Sequence, residues 1–377
     1  MKKKIAICIG TRPEAIKLAP VILKCKEESN FEVFVCVTGQ HASMVTDVLD
    51  FFNIVPDINF EALGKTKNLN SLLGFLIEKF DAYFEEIKPD VVLAQGDTTS
   101  ALAAALASYY RKIKFGHVEA GLRTGDIYSP WPEEGNRLLM SKIATYHFAP
   151  TESNRANLLS ENIAEDKIFV TGNTVVDALF WADNDSRPIE NQDAYLFTPS
   201  GIIEDSSRIV LVTGHRRENL GTAFEGILNA ILDLAKKHTD VHFVFPVHLN
   251  LEVRKQVDSI LRSELQPNLL LIEPLSYPHM ISLLKRCFFV LTDSGGIQEE
   301  APSFKKPILV TRMNTERPEG VSIGAVKVIG TERESVFNHC DVLLTDTSAY
   351  EAMIASENPY GDGEAAARIV KILNENI

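Results

Sequence analysis

Four turns in this sequence combine a preceding apolar run with glycine and charged side chains: Gly10-Thr11-Arg12-Pro13, Gln95-Gly96-Asp97-Thr98, Gly214-His215-Arg216-Arg217 and Asp293-Ser294-Gly295-Gly296. Their cations suit an anion: Arg12, His215, Arg216, Arg217 and, in a further turn, Arg317 can neutralise phosphate oxygens. Ser294-Gly295-Gly296 is the best phosphate cradle, because glycine lets backbone approach an oxygen and a helix start aims free amides at it. Taken alone, a two-glycine turn is equally a plain strand-to-helix connection, and an Arg-Arg pair is more often a solvated surface run. The acids are Asp97, Glu119 and the pair Glu133-Glu134, with Arg123 and Arg137 near enough in sequence to steer ionisation. General acid–base chemistry needs two such groups of different protonation on opposite faces of a reacting carbon. The stiff Ser129-Pro130-Trp131-Pro132 stretch runs into a helix and aims Glu133 into a cleft. Any one acid alone reads as a helix cap or an ion pair. Their joint position points to chemistry.

These turns need a scaffold, and the sequence supplies one. Apolar runs at 4–9, 91–94, 209–213 and 288–292 each lead through a turn into amphipathic stretches at 14–26, 100–109, 223–237 and 297–304. Such alternation predicts βαβ units and a parallel sheet covered on both faces, whose ligands bind beyond the carboxyl ends of the strands. The polar segment 182–207 interrupts the pattern before a fresh strand at Arg208. The expected domains are 1–172 joined by a C-terminal helix within 361–377, and 173–360.

The chain has 377 residues, a net charge of −13 and 45% hydrophobic residues, the balance of a folded globular protein of two domains. The acidic excess argues against nucleic acid as a partner, so cations gathered at turns imply an anionic small ligand. The five cysteines show no C-x-x-C spacing and read as buried, reduced thiols. The start, MKKKIAICIG, imitates an export signal, but Gly10 and Arg12 break its apolar run. No apolar stretch reaches membrane-span length, so a cytoplasmic protein is expected. The nine histidines lack metal-ligand spacing. Gly361-x-Gly363-x-x-Ala366 imitates a dinucleotide fingerprint, but too few residues follow it for a βαβ unit. Neither metal nor cofactor is expected.

The ordered motifs extend this reading. Gly10-Thr11-Arg12-Pro13-Glu14, Gly39-Gln40-His41, Gly96-Asp97-Thr98, His117-Val118-Glu119-Ala120-Gly121-Leu122-Arg123-Thr124, Pro130-Trp131-Pro132-Glu133-Glu134, Gly214-His215-Arg216-Arg217-Glu218-Asn219, 293–301 and 315–319 run in sequence. Together they resemble the UDP-N-acetylglucosamine 2-epimerase family in its bacterial, non-hydrolysing form, over nearly the whole chain. The resemblance implies a GT-B fold, two Rossmann-like domains facing across a cleft, and a homodimer. It implies catalytic roles for Asp97, Glu119, Glu133 and His215. It implies substrate contacts at Arg12, Lys17, Arg137, Leu275, Met280, Ser294, Gly295, Gly296, Glu300 and Arg317, with Glu300 on the ribose hydroxyls. Gln40 and His41 match part of a site where some members bind a second, activating UDP-N-acetylglucosamine. The sequence departs from the pattern at Leu275, where Gln is common, at Met280, where an aromatic is common, and at Gln95, where His is common. Ser43 and Lys65 or Lys67 replace longer polar and Arg groups of the activator site.

The expected reaction interconverts UDP-N-acetylglucosamine and UDP-N-acetylmannosamine, supplying N-acetylmannosamine units for surface polysaccharide. No carbonyl acidifies the hydrogen on carbon 2, and the sequence lacks a nicotinamide site for transient oxidation. Elimination of UDP to 2-acetamidoglucal and its re-addition remains, with Asp97 and either Glu133 or Glu119 sharing the proton transfers. The rivals are a hydrolysing epimerase, a glycosyltransferase and a non-catalytic binder.

Overall fold

The apolar runs become strands whose residues are buried almost throughout, as expected where helices cover both faces of a parallel sheet. The computed structural model describes residues 2–39, 42–184, 197–198, 201–204, 206–214, 216, 219–354 and 357–377. The chain forms two units, Met1–Trp181 with Tyr360–Ile377, and Ala182–Pro359.

The first unit carries β1 (Lys3–Ile9), β2 (Phe31–Val37), β3 (Ile58–Asn59), β4 (Val91–Gln95), β5 (Lys114–Val118), β6 (Tyr146–Ala149) and β7 (Ile168–Val170). They form one parallel sheet in the order β3-β2-β1-β4-β5-β6-β7. The second unit begins with a short antiparallel pair, β8 (Phe197–Thr198) and β9 (Gly201–Ile202). Its parallel sheet comprises β10 (Arg208–Thr213), β11 (Val241–Pro246), β12 (Leu269–Ile272), β13 (Phe289–Thr292), β14 (Ile308–Val310) and β15 (Val326–Val328), in the order β12-β11-β10-β13-β14-β15. Both sheets are doubly wound. Strand order reverses between β1 and β4 in one and between β10 and β13 in the other, which places a crevice outside the carboxyl ends of those strands. The glycine turns follow these same four strands.

Each unit has its own core. In the first, Phe80, Phe84 and Phe115 pack with the alanines of helix Thr99–Tyr110, whose small side chains let helix Leu69–Ile87 come close. In the second, Phe243, Phe245 and Phe289 pack under helices Thr222–Lys237 and Arg333–Thr345. Burying each such ring contributes roughly 1.5–3 kcal/mol. All five cysteines are free and buried, and burial pushes the Cys25 and Cys287 thiols up to about 12. Among the described residues no helix is long and apolar enough to cross a membrane.

Two expectations shift. The first unit extends to Trp181 rather than stopping at residue 172. Helix Thr174–Asn184 is the reason: Asp177 accepts the N–H groups of Ala365 (3.2 Å) and Ala366 (2.8 Å), and Trp181 packs on Phe51 and Phe52. The stretch expected as one helix at 297–304 is an α-helix, Gly295–Glu300, followed by a 3₁₀ turn, Ala301–Phe304. Pro302, which has no N–H to continue the α-helical ladder, marks the change.

Candidate active site

In the first unit, the turn after β1 leads into helix Arg12–Glu27, with Pro13 in its first turn. Glu14, 2% exposed, accepts through Oε2 from the N–H groups of Gly10 (2.7 Å) and Thr11 (2.5 Å). Its Oε1 accepts from the Thr98 hydroxyl at 2.5 Å, across to the turn after β4. Burial pushes the Glu14 carboxyl up to about 7 despite these donors. Arg12 opens the helix, and Lys17, one turn further along, donates its ammonium to Glu119. Glu119 follows β5 in the left-handed backbone region, φ +65°. Gln95, at the end of β4, donates to its other oxygen, and Asn173 adds a bond at 3.2 Å. Three donors, from a helix, a strand and the loop after β7, thus fix one carboxylate.

Asp97 follows Gly96, whose carbonyl accepts from His117 Nε2 at 2.7 Å. Burial lowers the His117 ring to about 4, so it is neutral near pH 7 with its proton on the nitrogen that donates. Helix Glu133–Ile143 is tied to Asp97 twice: Asn136 donates to its backbone carbonyl at 2.7 Å, and Arg137 Nη1 to its carboxylate at 3.0 Å. Buried Glu134 holds Arg137 Nε at 3.0 Å and accepts from the Thr124 and Gly125 amides at 3.1 Å. The adjacent acids therefore differ. Glu134 is an anchor, whereas Glu133, first in the helix, has a buried Oε2 with no hydrogen-bond partner among the described residues. Arg123 grips Glu161 at 2.6 and 2.9 Å.

In the second unit, the Thr213 and Thr292 hydroxyls meet at 2.6 Å, joining the ends of β10 and β13. Asp293 accepts from the Arg216 amide (2.9 Å) and from Asn219 (3.2 Å), which also reaches the Thr311 carbonyl. Ser294 then stands at the N-cap position of helix Gly295–Glu300, without a side-chain capping bond among the described residues, and Glu300 is buried at the helix end. Arg317 donates Nε to Glu299 at 2.7 Å and packs so close to Gly295 that a Cβ there would sit 2.6 Å from its guanidinium carbon. At Gly296 a Cβ would meet nothing within 4 Å. Glu316 faces Arg317 (2.9 Å), Arg312 (2.8 Å) and Arg216 (3.4 Å). Burial acts to raise the Glu316 carboxyl, but the three guanidinium groups outweigh it and hold it at about 2. Leu275 and Met280 are half-buried and pack against the core beneath.

Gln40, His41 and His215 lie outside the described residues, as does Arg217. The other sequence-derived residues fall into two groups, one per unit. Arg12, Asp97, Glu119 and Glu133 stand at strand or helix ends near the β1/β4 reversal, and Lys17 and Arg137, inside helices Arg12–Glu27 and Glu133–Ile143, reach Glu119 and Asp97 there. Ser294, Gly295, Gly296, Glu300 and Arg317 stand beside the β10/β13 reversal. Sequence reasoning missed Glu14, Asn173 and Glu316 as organisers. A signal existed only for Glu14, in the Thr11-x-x-Glu14 capping pattern.

The family model described as UDP-N-acetylglucosamine 2-epimerase matches residues 23–374. The chain is 46% identical to the UDP-N-acetylglucosamine 2-epimerase of Escherichia coli K12 over 99% of each chain. It is 47% identical to that of Yersinia pestis over the same share of both. Among solved structures it resembles the Neisseria meningitidis UDP-GlcNAc 2-epimerase bound to UDP-GlcNAc, with TM-score 0.93, 45% identity, and 99% and 100% of the two chains covered. An S. aureus structure containing UDP is similar at TM-score 0.90 and 42% identity, covering 99% of this chain and 96% of that one.

Proposed function

Because the chain belongs to the UDP-N-acetylglucosamine 2-epimerase family, an isomerase of GT-B fold, we propose that it acts in the non-hydrolysing form. On this reading it interconverts UDP-N-acetylglucosamine and UDP-N-acetylmannosamine, and the N-acetylmannosamine serves surface polysaccharide. A base takes the proton from carbon 2, those electrons form the C1=C2 bond, and the C1–O bond breaks to release UDP. The 2-acetamidoglucal stays bound while UDP re-adds and a second group returns the proton to the other face. Asp97 shares these proton transfers with Glu133 or Glu119.

The observation that carries this reading is that Asp97, Glu119 and Glu133 belong to neighbouring strand and helix ends yet meet different partners. Asp97 is paired with Arg137, Glu119 with Lys17, and a Glu133 oxygen with no group among the described residues. Different surroundings are how two carboxyls come to divide acid and base roles. Arg12, His215, Arg317 and the amides of Ser294, Gly295 and Gly296 receive the diphosphate, with much of the rate coming from preorganised charge. Arg137 and Lys17 contact the substrate, Glu300 takes the ribose, Leu275 and Met280 border the base, and Gln40 and His41 belong to the activator site. The working form is a cytoplasmic homodimer.

Proton NMR of the purified protein with UDP-N-acetylglucosamine in deuterium oxide tests the reading. Growth of intact UDP-N-acetylmannosamine with deuterium at carbon 2 is expected. Free N-acetylmannosamine accumulating with UDP would replace it with the hydrolysing reaction.

A further inference from the structure

We propose that Glu14 is a positioning residue for this reaction: its buried carboxylate locks the turn that carries Arg12 to the turn that carries Asp97. The inference rests on the functional reading above for the roles of Arg12 and Asp97, but the lock itself is a matter of hydrogen bonds. A capping box explains only one of them, the bond from the Thr11 amide. The same oxygen also takes the Gly10 amide at 2.7 Å, so both N–H groups that follow β1 converge on it. The other oxygen leaves the helix and takes the Thr98 hydroxyl at 2.5 Å.

Thr98 is well placed to transmit the constraint. It directly follows Asp97, and its hydroxyl also accepts the Ala101 amide at 3.1 Å, capping helix Thr99–Tyr110. A shift of that hydroxyl therefore moves both the cap and the residue before it. The turns touch elsewhere: a Cβ on Gly10 would lie 2.4 Å from Ser100 Oγ and 2.9 Å from Glu14 Oε2. There is no slack for a side chain between them. β1 and β4 are adjacent at the reversal of strand order, where no crossover helix directly joins one turn to the other. Glu14 provides that link.

Kinetics and hydrogen exchange together test the lock. Glu14→Ala is expected to lower kcat by about tenfold or more, the scale set by small misplacement of reacting groups. Thr98→Val is expected to lower kcat as well, Thr98→Ser to keep it within about twofold, and the losses of Glu14→Ala and Thr98→Val to combine less than multiplicatively in the double variant, because the two share one connection while Thr98→Val also removes the Ala101 cap. Deuterium uptake is expected to rise in peptides covering 8–14 and 95–101 in Glu14→Ala. Losses in kcat that multiply in the double variant, or wild-type uptake at 95–101 in Glu14→Ala, would overturn the proposal. Should Glu14→Ala not fold, Glu14→Gln replaces it. Its carbonyl still serves the two backbone amides, and its NH₂ can only donate to the Thr98 hydroxyl, so it is paired with Thr98→Val, which leaves no oxygen at 98 to take that bond. In Glu14→Gln/Thr98→Val uptake is expected to rise at 8–14 as well as at 95–101, and unchanged uptake at 8–14, which loss of the Ala101 cap alone would not move, overturns the lock. A wild-type protein that fails to turn over UDP-N-acetylglucosamine would sink the functional reading, while the exchange data still decide the lock.

Discussion

Glu119 holds a backbone conformation that non-glycine residues avoid, at a cost of about 1–3 kcal/mol, and its side chain is fixed by Lys17, Gln95 and Asn173. Glu119→Gln keeps the shape and removes the anion facing the buried Lys17 ammonium. We expect a loss of about 3 kcal/mol in urea unfolding and a fall in kcat of roughly 100-fold or more. Asp97→Asn is expected to lower kcat on a similar scale, roughly 100-fold, and full activity would exclude Asp97 from proton transfer. A third expectation concerns pH. Burial lowers His117 to about 4 and His147 to about 3, so below their ordinary value of 6.5 the unfolded chain takes up protons that the folded one refuses. Their contribution is complete above pH 6.5 and is lost as pH falls through about 4 for His117 and about 3 for His147. Glu14, raised to about 7, acts with the opposite sign: its contribution is complete below 4.5 and is lost as pH rises through 7. Urea unfolding at a series of pH values is expected to show a shallower loss between pH 6.5 and 4 for His147→Gln than for wild type. An unchanged slope would contradict the assignment.

At the scale of elements, the two glycines after Ser294 separate cleanly. Gly295→Ala drives a methyl into the Arg317 guanidinium and is expected to cost about 1–3 kcal/mol, read as a lowered Tm. Gly296→Ala meets open space and is expected to leave Tm unchanged or slightly raised, since helix propensity adds about 0.5 kcal/mol of stability. The strand-turn-helix alternation was legible because apolar runs, glycine and helix starts are local signals, and the turns around Asp97 and Asp293 fall where sequence put them. The partners of those turns were not. That Asn173 reaches Glu119 from a separation of 54 residues, or that Glu316 gathers three guanidinium groups, depends on strand order, which no local pattern encodes. The 172 boundary failed for the same reason: helix Thr174–Asn184 is claimed by contacts with Phe51, Phe52 and the amides of Ala365 and Ala366.

For the whole molecule, the feature with most leverage is helix Ala365–Asn376, which belongs to the first unit although the second unit precedes it in sequence. It buries Ile369, Val370 and Leu373, is capped by Asp177, and receives bonds at the Asn376 carbonyl from Lys114 and Tyr146, both at 2.8 Å. Exposing three such side chains costs roughly 5–9 kcal/mol, comparable with the whole margin of a domain. Removing residues 361–377 is therefore expected to abolish the first unit's transition in calorimetry and to leave that of the second, whose core contains none of these residues.

The same arrangement has a consequence during translation. Residues 182–359 emerge from the ribosome between the two parts of the first unit. At roughly 5–20 residues per second, the seat for Ile369, Val370 and Leu373 stays open for about ten to forty seconds. The nascent chain thus completes its first unit last, and for that interval the seat of its final helix is apolar surface facing water.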